Sequence, residues 1–110
     1  MDDMTLREIC VAAGVTRRAV QGYEQAGLVS PTGKTPRGYL LYDIDSQERI
    51  KQIRLYQQLG FSIKEIKAII DSDSGIKRKA LEERVKCLRE EGKNIETLID
   101  KAYELIDNLK

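Results

Sequence analysis

Residues Thr5 to Gly27 read TLREICVAAGVTRRAVQGYEQAG, and this stretch decides the fold. It predicts two short helices joined by a tight turn. Ile9, Val15, Val20 and Tyr23 supply buried contacts, and Cys10 is small enough to let the second helix cross close over the first. Gly14 can take the positive φ that a sharp inter-helix turn demands. Thr16 stands where an N-cap belongs, at the start of a helix whose outward positions are Arg17, Arg18, Gln21 and Gln25. Groups of this kind suit phosphates and base edges in a major groove.

Downstream, Gly27 followed by Leu28 forms a helix stop, with Gly in the left-handed C′ position and Leu as the apolar C″ contact. From Ser30 to Tyr42 the chemistry changes. Pro31, Gly33, Pro36 and Gly38 punctuate the segment, and Tyr39, Leu40, Leu41 and Tyr42 are good strand formers, so a small β-hairpin wing is expected. Asp43 or Asp45 can cap the next helix, Asp45 having Glu48 in capping-box spacing. Its stripe is Ile50, Ile53, Tyr56 and Leu59, and Gly60 ends it. Ser62 with Glu65 makes a further capping box, and Phe61 with Ile66 a hydrophobic staple, opening a helix that fades out in a turn over Asp71, Ser72, Asp73, Ser74 and Gly75.

From about Ile76 onward a single helical pattern runs without proline. Leu81, Leu88, Ile95, Ala102 and Leu109 recur every seven residues, and Val85, Gly92, Ile99 and Ile106 recur on the adjacent seam position. This 4-3 spacing argues for a coiled coil, with a second copy of the chain as the economical partner and packing back on the globular part as the alternative. Gly92 marks close helix approach, a kink or a break. The fold class is therefore mainly α: a winged helix-turn-helix domain over 1–75 with a small β-hairpin wing, and a coiled-coil dimerisation helix over 76–110.

Composition narrows the function. The chain has 110 residues, a net charge of +1 and no histidine. Lacking the commonest general base and zinc ligand, it reads as a non-enzyme without metal or other cofactor. A charge near neutrality means that any DNA binding must come from the placement of charge. With no apolar run long enough to span a bilayer, a cytoplasmic protein with two free thiols, Cys10 and Cys87, is the simplest expectation. Thr16, Arg17, Arg18, Gln21, Lys34 and Arg37 are the first candidates for DNA contact. Arg54 and Lys64 are further candidates, with solvated surface charge as the alternative reading.

The order of elements, with Thr5, Leu6, Glu8, Ile9, Ala13-Gly14-Val15, Arg17-Arg18, Tyr23-Glu24, Gly27-Leu28, Pro31, Gly38-Tyr39, Tyr42, Gly60-Phe61-Ser62 and Glu65-Ile66, resembles the MerR family of bacterial transcription regulators. The resemblance implies a homodimer joined by antiparallel long helices that binds pseudo-palindromic promoter DNA. It also implies distortion of that DNA so that RNA polymerase can engage it, a readout partly through deformability. It casts Tyr23 and Tyr39 as phosphate donors and Tyr42 as a core residue. Two departures stand out. Gln21 and Gly22 occupy positions where the family usually has arginine and an aromatic, and Leu40 follows the first wing tyrosine where arginine is usual. Both departures remove charge expected at phosphates or base edges, which implies altered affinity or target sequence. They also keep two alternatives open: a protein-interaction module resembling co-chaperone modulators, and an excisionase-like architectural protein. The family's sensing modules lie beyond the dimerisation helix and this chain stops at Lys110, so neither a metal sensor nor a small-molecule domain is expected.

Overall fold

The computed structural model describes residues 2–109, so Met1 and Lys110, the outer ends of the two expected segments, lie outside the described residues. The chain divides into two compact units, Met1–Asp71 and Ser72–Lys110. The first begins with strand β1 (Met4–Thr5), helix α1 (Leu6–Ala13) and helix α2 (Arg17–Gln25). Strands β2 (Gly33–Lys34) and β3 (Leu40–Tyr42) follow, then helices α3 (Ile44–Leu59) and α4 (Ile63–Ile69). The second unit is one helix, α5 (Ser74–Asp107).

Local chemistry fixes each boundary in the first unit. Thr5 caps α1 through a reciprocal box with Glu8, the Glu8 N–H donating to the Thr5 hydroxyl oxygen and the Thr5 N–H to Glu8 Oε1. Gly14 turns the chain at φ 66°, and the Thr16 hydroxyl oxygen accepts from Ala19 N–H at 3.0 Å to start α2. At the far end Gly27 N–H donates to the Glu24 carbonyl and Leu28 N–H to the Tyr23 carbonyl. With Gly27 at φ 76° and Leu28 buried, this is the Schellman stop that the Gly-Leu pair predicts.

The wing is larger than a hairpin. β2 and β1 both pair antiparallel with β3, giving the order β1-β3-β2 with Thr5 and Gly33 each opposite Leu41. A two-residue strand just ahead of a helix carries no alternation to betray it, and only its partner reveals it. α3 is capped by Asp43, whose Oδ1 accepts from Ser46 N–H at 2.9 Å; Asp45 falls in the first turn, so the Asp45–Glu48 box does not form the cap. The Ser62–Glu65 box does open α4. Ser74 and Gly75 belong to α5 and not to a turn, because Asp73 caps that helix by accepting from Ile76 N–H.

The core of the first unit is Ile9, Val20, Tyr23, Leu28, Val29, Tyr42, Ile50, Ile53, Ile66 and Ile70. Val15 is only half-buried at its edge, a correction to its reading as a buried contact, and Cys10 is half-buried there too. Phe61 packs edge-on to Tyr56 with ring centroids 5.6 Å apart, closing the corner between α3 and α4. In α5 no described residue is buried, and the helix runs through Gly92 without a break.

Candidate nucleic-acid interface

α2 sorts its residues sharply. Val20 and Tyr23 are buried, while Arg17, Arg18, Gln21, Gly22 and Gln25 are exposed on the opposite side. Thr16 is exposed beside them with its oxygen engaged as the cap. The first residue of the helix, Arg17, therefore projects at the end where backbone N–H groups and the helix dipole favour an anion.

The wing brings a second set. Lys34, Arg37 and Tyr39 are exposed around a turn in which Gly38 N–H donates to the Thr35 carbonyl and Thr35 N–H to the Tyr39 carbonyl. Gly38 sits at φ 87°, a backbone state that only glycine adopts cheaply. Tyr39 is 63% exposed, large for a tyrosine with no described partner for its hydroxyl.

Between these two sets lies a groove of about 510 Å³ lined by Thr5, Leu6, Arg7, Arg17, Gly38, Tyr39 and Leu40. It joins the front of α2 to the wing tip, and it brings together Arg17 and Tyr39 from the sequence candidates. It also adds Arg7, which no sequence motif singles out: the arginine stands at the second position of α1, and only the strand β1 places that turn beside the wing. Between Thr5 and Leu41 five basic residues, Arg7, Arg17, Arg18, Lys34 and Arg37, meet two acidic ones, Glu8 and Glu24. Positive charge is thus concentrated in the segment that carries α1, α2 and the wing although the whole chain is nearly neutral.

Three candidates stand elsewhere. Tyr23 is 1% exposed, and its hydroxyl donates to Gln57 Oε1 at 2.5 Å. It is a core link from α2 to α3, which corrects its reading as a phosphate donor: the ring is inside and its proton is already given. Burial pushes its pKa up, partly opposed by the Arg54 charge. Arg54 is half-buried on α3 with its Nε buried and unpartnered, and Lys64 is exposed in the first turn of α4; neither lines the groove. Leu40, the departure from the usual arginine, is half-buried in β3, where its side chain forms groove wall instead of carrying charge.

On α5, the expected seam lies open. Val85, Ile95, Ile99 and Ile106 are 44–57% exposed, Ala102 is exposed, and Leu81 and Leu88 are half-buried, while Leu109, expected on the seam, lies past the end of the helix and is 77% exposed. Leu98, Tyr103 and Leu105 are exposed beside it. So much apolar side chain left in water is the mark of a surface meant for covering. Both cysteines are free, Cys87 exposed and Cys10 half-buried, and burial raises the Cys10 pKa against the lowering influence of Arg17.

Comparison with known proteins agrees with this architecture. Residues 4–73 match the profile described as MerR HTH family regulatory protein, and residues 47–110 the one described as MerR, DNA binding. The nodulation protein NolA of Bradyrhizobium sp. is 33% identical over 103 residues, covering 94% of this chain and 40% of NolA. The HTH-type transcriptional activator mta of Bacillus subtilis is 27% identical over 94 residues, covering 86% of this chain and 37% of its own length. The chain thus spans less than half the length of these curated relatives. A MerR family transcriptional regulator from Bacillus cereus superposes with a TM-score of 0.76 at 26% identity, covering 96% of this chain and 81% of that one. With helix-turn-helix, wing and terminal helix in the same order along a matched sequence, the chain belongs to the MerR family of helix-turn-helix regulatory proteins.

Proposed function

We propose that this chain is a DNA-binding transcription regulator that works as a homodimer on promoter DNA and distorts it. The single observation that carries the reading is the groove in which Arg17, at the front of an exposed helix face, stands with Arg7 across from the wing residue Tyr39. Arg17, Arg18 and Gln21 enter a major groove, while Arg7, Lys34, Arg37 and Tyr39 grip the flanking phosphates. Arg54 and Lys64 are peripheral contacts on the same duplex. The division of labour is 1–75 for DNA and 76–110 for dimerisation, which sets two recognition helices at the spacing of duplex half-sites. Because the recognition helix bears few base-reading groups, deformability of the site contributes to its choice, and RNA polymerase is the beneficiary of the distortion. The reading involves no catalysis and places the protein in the cytoplasm; no described helix is long and apolar enough to cross a membrane.

The test is titration of fluorescent duplex fragments at several salt concentrations. Affinity should fall steeply as salt rises, and Arg17→Ala with Arg18→Ala should flatten the slope by about one unit for each phosphate no longer neutralised. No binding to duplex at low salt, with a protein partner recovered instead, would overturn the reading in favour of an interaction module.

A further inference from the structure

Gln47 is the one amide or charged residue buried among the described residues, at 5% exposure, and its side chain joins the chain ahead of β1 to the end of β3. It is the fourth residue of α3, and its Nε2 donates to the Asp2 carbonyl at 2.6 Å and to the Tyr42 carbonyl at 2.8 Å. Tyr42 is the pairing partner of Met4, so a single amide bridges both sides of the β1–β3 pair at its outer end. That pair needs a fastener. β1 lies at the edge of the sheet and contributes two residues, far below the length at which strand pairing is stable unaided. Asp2 and Asp3 also line a surface hollow with Asp43 and Asp45, so like charges push the N-terminal segment off the start of α3. Two bonds from a buried amide, shielded from water, oppose this.

The other end of the same pair opens on the groove. The register runs from Met4 opposite Tyr42 to Thr5 opposite Leu41. The next residues along are Leu6 and Arg7 on one side and Leu40 and Tyr39 on the other, and all four line the groove. Thr5 is at once the last residue of β1 and the N-cap of α1, with no linker between strand and helix. A shift of β1 is therefore carried straight to Arg7.

Resting on the DNA-binding reading, we propose that Gln47 is a positioning residue for that interface: its clamp on the outer end of the β1–β3 pair sets the gap between Arg7 and Tyr39 and holds the Arg7 guanidinium where a phosphate passes. Gln47 itself, buried and no part of the groove wall, touches no DNA.

Duplex titration at several salt concentrations tests this. Gln47→Leu keeps the volume and removes the donor. It should lower affinity as far as Arg7→Ala does, about tenfold at 0.1 M salt and about one unit of salt slope for each phosphate released. In the Gln47→Leu background, Arg7→Ala should then cost less than about twofold, because the contact is already lost. Deleting Asp2 and Asp3, so that Met1 precedes Met4, removes the clamped carbonyl and leaves Gln47 and the core residues in place. On charge alone the loss of two carboxylates would strengthen duplex binding, so the weakening and lower slope expected of this variant report the clamp and not the overall field. Thermal unfolding of each variant shows that folded protein is being titrated, and the deletion carries the test if Gln47→Leu does not fold. A folded Gln47→Leu or Arg7→Ala variant that binds like wild type, losses from the two that multiply, or a deletion variant that binds at least as tightly as wild type each overturn the proposal and leave the DNA-binding reading standing on Arg17 and Arg18. A wild type that binds no duplex at low salt defeats that reading itself.

Discussion

Tyr42, the last residue of the wing strand β3, donates its hydroxyl proton to the carboxylate of Glu24 on the recognition helix. The ring is fully buried, so the bond crosses from sheet to helix inside the core and fixes the wing relative to α2. Burial and the adjoining carboxylate both raise the Tyr42 pKa far above that of free tyrosine. A raised pKa means that the folded state retains a proton the unfolded chain releases. Stability is therefore intact below about pH 10, the tyrosine value in the unfolded chain, and falls as pH rises above it. Denaturant titrations from pH 8 to 11 should show this decline. Tyr42→Phe should flatten it, Tyr23 retaining a smaller share because burial raises its pKa as well.

At neutral pH the same substitution has a different signature. Tyr42→Phe keeps the ring and leaves the half-buried Glu24 carboxylate without its donor, at a cost of about 1–2 kcal/mol in urea unfolding. Because the link sets the wing against α2, duplex affinity should fall further than for Tyr23→Phe, whose bond runs to Gln57 in α3 and away from the wing.

Arg49 performs a second fastening. Its Nε donates to the Leu28 carbonyl at 2.8 Å, while Nη1 and Nη2 reach the two carboxylate oxygens of Asp71 at 2.5 and 2.9 Å. One planar group thus holds the exit of α2 and the chain beyond α4 to α3. Arg49→Lys retains the charge and loses the fork, so it should recover little of the roughly 1–2 kcal/mol by which Arg49→Ala destabilises the fold; Asp71 is largely exposed, which keeps the figure small. Thermal unfolding of the three proteins side by side measures the difference.

How much of this is legible in the sequence depends on the range of the signal. Gly27-Leu28 and Ser62-Glu65 announce caps whose hydrogen bonds close within a few residues, and both form as expected. The Thr5–Glu8 box carries the same short-range spacing, and its bonds too close within one helical turn. Met4–Thr5 as a strand, Arg7 as groove lining and the bond that engages the Tyr23 hydroxyl each depend on a partner far along the chain, Tyr42, Tyr39 and Gln57 respectively. No periodicity within a window of a few residues encodes those. A wing beside α2 follows from the family resemblance, but which arginines line the hollow between them is set by tertiary contact.

Arg7 gives the sharpest test of the groove. If it grips a phosphate, Arg7→Ala should weaken binding evenly across duplex sequences and reduce the salt slope by about one unit, with folding stability changed by less than about 0.5 kcal/mol because the residue is exposed. Competition between matched and mismatched fragments measures evenness. A change in sequence preference would instead place Arg7 at a base edge.

Gly22 separates stability from recognition within one helix. It lies inside α2 without a positive φ, it is exposed, and no atom stands within 4 Å of an added Cβ. Gly22→Ala should therefore stabilise the protein by about 0.5–1 kcal/mol, by lowering the entropy of the unfolded chain and improving helix propensity. Gly14→Ala meets equally open space but must hold φ at 66°, so it should destabilise by about 1–2 kcal/mol. On DNA the order changes. A methyl at position 22 would project from the same exposed face as Arg18 and Gln21, where a recognition helix approaches base edges, so the more stable variant should bind its duplex less tightly. Paired urea unfolding and duplex titration on Gly22→Ala measure both effects, and a gain in stability with unchanged affinity would place this part of α2 away from the DNA.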